Sequence, residues 1–145
     1  MSLLDVRNLN VSIHNTKILG NISFSVNEGE IFGIVGESGS GKSMTALGLM
    51  RLLPDGAKIT GSAILSEKDL LKTSEEDMCT LRGNAIGMIF QEPMTALNPV
   101  QTIGNQVAET LIIHGRAKKA EALKIAREKL NRVGLTEEQF PLDKY

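Results

Sequence analysis

Cysteine is almost absent: Cys79 stands alone in 145 residues, so the chain cannot close a disulfide or build a cysteine metal cluster from its own residues. A lone free thiol fits a reducing compartment. Charge of one sign is missing too, with 16 Lys and Arg against 17 Asp and Glu and a formal net charge of −1. Non-specific attraction to nucleic acid therefore has no electrostatic support, and no nucleic-acid partner is expected. No apolar run approaches the ~20 residues that a membrane-spanning helix needs. The first residues, Met1-Ser-Leu-Leu-Asp5, lack the basic segment and long apolar core of a secretory leader. A soluble chain that reaches a membrane only through a partner is expected. Repeats, low-complexity segments and flexible linkers are absent as well, and the length suits one ordinary domain with a substantial core.

What is there begins with β patterning. Leu4 and Val6, Val11 and Ile13, then Ile22, Phe24 and Val26 alternate with polar positions, and Asn27-Glu-Gly29 is a turn signal. Ile31-Phe-Gly-Ile-Val35 reads as a short buried strand. Met44 to Leu53 reads as a helix stopped by Pro54 and the Asp55-Gly56 turn. Ile59 to Leu65 suggests another strand, weakened by Gly61. Ser74-x-x-Asp77 resembles a capping box opening a short helix to about Arg82, and Ile86 to Phe90 reads as a second apolar strand running into Gln91. Beyond this the periodicity turns helical. Ile103, Val107, Thr110, Leu111 and His114 share one helix face. Ala122, Ile125, Ala126, Leu130 and Val133 share another, with Gly134 placed to end that helix. Thr136-x-x-Gln139 is a further capping box, expected to open a brief helix cut off near Pro141.

Between the expected strand and helix lies Gly36-Glu-Ser-Gly-Ser-Gly-Lys-Ser43, which fits G-x-x-x-x-G-K-[ST]. Strand, glycine loop and helix form the context in which this pattern binds the phosphates of a nucleotide. Gly36, Gly39 and Gly41 let the backbone curl and turn successive N–H groups inward, with Glu37, Ser38 and Ser40 completing the loop. The helix that starts as the loop ends adds unpaired N–H groups and its positive dipole end. Lys42 is expected to reach the β- and γ-phosphates as a point charge, and Ser43 to supply a hydroxyl to Mg²⁺. ATP and Mg²⁺ are the expected cofactors.

This loop, the stretch Phe90-Gln-Glu-Pro-Met-Thr-Ala-Leu-Asn-Pro99 and the β-then-helical plan together resemble an ABC transporter ATP-binding subunit, more narrowly the oligopeptide, dipeptide and nickel import branch. The resemblance runs the length of the chain. It implies an α/β P-loop NTPase core with an N-terminal antiparallel β subdomain and a helical subdomain. Residues 1–91 would form the β subdomain plus P-loop core, and 92–145 the start of the helical subdomain. By the same resemblance Gln91 contacts Mg²⁺ and the attacking water, which makes it the expected catalytic residue and, with Ser43, a metal-site residue. Met94 to Pro99 and the helix from Ile103 would dock on a membrane-spanning permease. A second ATP-binding subunit is the other implied partner, and the cytoplasmic face of the inner membrane the implied location.

Two departures from the family pattern bear on function. The aromatic residue on which such subunits stack adenine is replaced at the nearest position by Ile13, an apolar contact without a π face, with His14 beside it as the alternative stacking group. The family's Leu-Ser-Gly-Gly-Gln signature, its apolar strand ending in Asp-Glu and its switch histidine have no match in the 145 residues. The fold is therefore expected to be incomplete at its C-terminal side, the central sheet to lack strands, and this chain alone to bind nucleotide poorly without turning it over. Three functions compete at this stage. One is the energy-coupling ATPase of a peptide or nickel importer, present as its N-terminal part. Another is a non-catalytic module that docks on a permease or regulates an intact ATPase. The third, an ABC ATPase without transport, such as a repair or translation factor, is disfavoured by Leu97-Asn-Pro99.

Overall fold

Two long strands, β1 (Ser2–Ile13) and β2 (Thr16–Asn27), form a hairpin around His14 and Asn15. Both turn residues have positive φ, 45° and 68°, as a two-residue loop of the right twist requires. β3 (Ala57–Leu65) lies on the other side of β1. The two-residue β4 (Lys68–Asp69) folds back on β3 through Ser66 and Glu67, again both at positive φ. The result is an antiparallel sheet of order β2-β1-β3-β4. The computed structural model that shows this describes residues 2–91 and 97–145. It divides into two compact units, Met1–Cys79 and Thr80–Tyr145.

Gly61 does more than weaken its strand. Its φ is +110°, and a Cβ there would lie 2.5 Å from the carbonyl oxygen of Asn8. The β1–β3 register shifts between Arg7 and Asn10, and Asn8 itself has φ 49°. Gly61 thus lets two backbones close on a bulge that bends the sheet. The Asn10 side chain fixes the bend, donating to Asn8 O (2.6 Å) and accepting from Asn21 N–H (2.9 Å). Val6, Leu9, Val11 and Ala63 are fully buried in the sheet, with Leu19, Leu70 and Met78 closing the core of this unit.

Helix α1 (Lys42–Leu49) is shorter than its sequence suggests. It ends before Pro54 because Arg51 enters the left-handed region at φ 53° and Leu52 N–H bonds back to Leu47 O at 2.8 Å. The Arg51 guanidinium donates to the Thr73 carbonyl and lies 3.4 Å from Glu75, which holds the exit. Helix α2 (Glu75–Leu81) opens with the expected capping box: Ser74 Oγ accepts from Asp77 N–H at 3.1 Å and donates to the Asp77 carboxylate at 2.9 Å. Just before it, burial works against ionisation of Asp69. The Lys72 ammonium 3.0 Å away and the Leu71 and Ala63 N–H groups outweigh that, and the carboxyl sits below its ordinary range.

The second unit is an antiparallel helix pair, α3 (Ile103–Ile113) and α4 (Lys119–Arg132). Its core is built from small residues: Ala108, Ala122 and Ala126 are buried together, with Leu111, Ala117 and Leu123 packed around them. The buried stripe of α3 is therefore Gly104–Ala108–Leu111 rather than one containing Val107, which is exposed. Small side chains let the two backbones approach, and that closeness selects the face. Gly134, at φ 81°, ends α4 as expected, with Leu135 N–H bonding to Leu130 O.

Three other expectations change. Ile31–Val35 is not a strand: it has no ladder partner among the described residues, and Ile31 and Val35 are almost wholly exposed. Ile86–Phe90 is not one either, apart from a single bridge between Ile86 and Arg82, and Ile89 is 98% exposed. Apolar runs become strands only when neighbouring strands satisfy their N–H and C=O groups, and among the described residues neither run has such a neighbour. The brief helix after Thr136 is a single turn, closed by Phe140 N–H on Thr136 O at 2.8 Å.

Candidate functional site

The loop from Gly36 to Gly41 is wrapped around the ammonium of Lys42. Its Nζ donates to the carbonyls of Gly36 (2.8 Å) and Glu37 (2.7 Å) and lies 3.4 Å from Ser40 Oγ. Ser40 N–H closes the turn on Glu37 O at 3.2 Å. A Cβ on Gly36 would come within 2.7 Å of Ser40 Oγ, so a larger residue there would require the Ser40 hydroxyl to turn away. Gly41 is the N-cap of α1 at φ 94°, and a Cβ on it would strike Leu19 Cδ2 at 2.2 Å. Thr45, buried below, ties the first turn to the loop through its N–H (2.9 Å) and Oγ1 (3.1 Å), both on Gly41 O.

No side chain caps the N-terminus of α1, and no acidic residue sits in its first turn. An uncapped helix start beside a curled glycine loop and a lysine is a donor set for an anion carrying several oxygens. These residues fit a nucleotide phosphate chain. Ser43, the second residue of α1, is exposed next to the loop, where its hydroxyl is open to a cation. Glu37, Ser38 and Gly39 complete the exposed rim.

A cleft of about 420 Å³ joins the loop to the face of β2. Gly36, Ser40, Gly41 and Lys42 line one side, and Leu19, Ile22, Phe24 and Phe32 to Val35 supply apolar walls. Phe24 and Phe32 stack with centroids 5.1 Å apart and 12° between their planes, which anchors the segment leading into the loop. Alternation in β2 pointed to the Phe24 position, but nothing local marked Phe32 as its partner.

The remaining predicted residues lie elsewhere. Ile13 is the last residue of β1, paired with Thr16 and Ala57, and does not line the cleft. His14 occupies the hairpin turn, where its ring packs so closely on Gly56 that a Cβ there would lie 2.5 Å from it. Gln91 is exposed and belongs to the second unit. Of the expected docking stretch Met94 to Pro99, residues 94–96 lie outside the described residues, while Leu97 is exposed at 61%; Val100, just beyond it, is exposed at 77%.

The pattern that defines the ABC transporter family matches residues 19–144, which takes in β2 from Leu19 on, the glycine loop, α3 and α4. This chain belongs to the ABC transporter family. It is 48% identical over 149 residues to a probable peptide ABC transporter ATP-binding protein of Sinorhizobium fredii, covering 99% of this chain and 44% of that protein. It is 45% identical over 150 residues to the oligopeptide transport ATP-binding protein AppD of Bacillus subtilis, covering 99% of this chain and 46% of that one. The chain thus spans less than half the length of these relatives. A solved ATP-binding cassette, dimeric in a post-hydrolysis state with ADP and Pi, superposes over 97% of this chain and 61% of its own at a TM-score of 0.79 and 26% identity. These likenesses bear out the ABC ATPase fold and the resemblance to the peptide-import branch.

Proposed function

We propose that these residues form the phosphate-binding and docking portion of an ATP-binding, energy-coupling subunit of an importer for peptides or a related small solute such as nickel. The observation that carries this reading is the loop itself. Lys42 is held at its centre by two carbonyls, and the uncapped start of α1 faces outward beside it. ATP would lie with its phosphates on the N–H groups of residues 36–43, Lys42 exchanging its carbonyl partners for phosphate oxygens. Ser43 would offer its hydroxyl to Mg²⁺, which when bound neutralises phosphate charge, and the metal and water role of Gln91 rests on the family resemblance alone. Ile13 would supply an apolar contact to the base.

Two features support a division of labour within the subunit. The relatives are more than twice as long as the portion they share with this chain, and Ile31–Val35, which leads into the loop, has no ladder partner among the described residues. We assign hydrolysis to the whole subunit and nucleotide binding without turnover to the 145 residues. Among the described residues no helix is long and apolar enough to cross a membrane. Attachment to the cytoplasmic face of the inner membrane would therefore come through the permease, with a second ATP-binding subunit completing the assembly.

Titration of the purified chain with a fluorescent ATP analogue, alongside phosphate release, tests this reading. Lys42→Ala removes a charge-assisted contact and should weaken binding roughly 10–100-fold. Equal affinity in the two proteins would dispose of the phosphate assignment. Phosphate release that Lys42→Ala abolishes would overturn the division of labour.

A further inference from the structure

Gln106, in the first turn of α3, uses its whole side-chain amide on the loop that precedes the helix. Its Oε1 accepts from Asn98 N–H at 2.9 Å, while Nε2 donates to Asn98 O at 3.0 Å and to Gln101 O at 2.8 Å. Both backbone groups of Asn98 are thereby paired, as a neighbouring strand would pair them. The amide orientation is fixed by this pattern, because a flipped amide would set oxygen against two carbonyls and nitrogen against an N–H. The loop is tightened from within by Asn98 Oδ1, which accepts from Val100 N–H at 3.0 Å, and by Gln101 N–H on Asn98 O at 3.2 Å. Pro99 brings no N–H that needs a partner.

The helix carrying Gln106 is itself anchored. Thr102 Oγ1 caps it through Asn105 N–H, and the N–H groups of Ile103 and Gly104 bond to Lys144 O and Leu142 O, each at 2.8 Å. A rigid helix start therefore holds a short loop through one side chain, and the loop displays two large apolar residues, Leu97 and Val100, to solvent. Leu97 and Val100 are thereby presented on a backbone that Gln106 holds in one geometry.

We infer that Gln106 is a positioning residue that shapes the Leu97–Gln101 loop for contact with the permease. This rests on the docking assignment proposed above, and it adds the residue that sets the geometry of the contact. Gln106→Glu is the informative variant, because it keeps the shape of the side chain. At neutral pH its carboxylate turns lone pairs towards the carbonyls of Asn98 and Gln101, where the amide donated hydrogens. Residue-resolved amide exchange on the 145-residue chain should show protection at Asn98 and Val100 falling about tenfold or more, with Ala108 and Ala126 unchanged. Protonation of the new carboxyl at lower pH restores one donor and should recover part of the protection. Unchanged protection at neutral pH, or a loss that spreads through α3 and α4, would overturn the positioning role. In the transporter reconstituted from the whole subunit and its permease, the same variant should lower permease-stimulated ATP hydrolysis severalfold and leave ATP affinity unaltered. A loosened loop with full stimulation would instead overturn the docking assignment.

Discussion

Replacing Gly41 by alanine should injure both the phosphate loop and the core beneath it. The N-cap φ of 94° is left-handed, which costs an L-residue about 1–2 kcal/mol. The new Cβ would also lie 2.2 Å from Leu19 Cδ2, so either Leu19 or the loop must move. Leu19 is only 3% exposed and has little room to yield, and overpacking of this kind costs about 1–3 kcal/mol. Together the two effects amount to about 2–5 kcal/mol, a large share of the 5–15 kcal/mol that stabilises an ordinary domain. Gly39 is the internal control. Its φ is 80°, but nothing lies within 4 Å of an added Cβ, so Gly39→Ala should carry only the backbone cost of about 1–2 kcal/mol. Urea denaturation of both variants beside the parent gives the comparison. A Gly41→Ala chain no less stable than Gly39→Ala would refute the clash with Leu19.

Three further outcomes are expected. Arg127 is mostly buried and pairs with Glu137 at 2.7 Å while donating to Phe140 O at 2.8 Å, so Arg127→Met should cost about 2–3 kcal/mol. Proteolysis would report it as early cleavage within 135–140, and an unchanged cleavage pattern would count against the clamp. The carboxyl of Asp69 is depressed in the folded chain, so the stability it contributes is present above its unfolded value near pH 3.9 and is lost as pH falls through the lower folded value. Asp69→Asn should flatten that part of the stability–pH curve, and identical curves for the two proteins would exclude the contribution. Gly61→Ala combines φ +110° with a Cβ 2.5 Å from the Asn8 carbonyl and should lower the melting temperature by several degrees, whereas a neutral result would mean that the bulge relaxes easily.

The glycine curl ahead of α1 was legible because its chemistry is local. The identity and spacing of Gly36, Gly39, Gly41, Lys42 and Ser43 already specify a tight curl ahead of a helix, whereas the bonds of Lys42 to the Gly36 and Glu37 carbonyls are seen only in the structure. The Ser74 capping box and the Gly134 terminator were legible for the same reason. Turns built on His14-Asn15 and Ser66-Glu67 carry no glycine, and so gave only a faint signal for the two hairpins they close. Gln106 gave none. A polar residue on an exposed helix face looks like any other until the preceding loop returns to meet it.

Short-range chemistry, then, made the glycine curl, the Ser74 cap, the Gly134 terminator and the alternation of β1 and β2 readable from sequence alone. Interactions across longer stretches of chain settled the rest. Asn8 approaches Gly61 because their strands pair, Phe32 meets Phe24 across the turn after β2, and the small residues of α3 and α4 choose which face is buried. Ile31–Val35 shows the boundary most clearly. Its composition asks for a buried strand, but a strand needs a neighbour to take its backbone hydrogen bonds, and whether one is present is decided only in three dimensions.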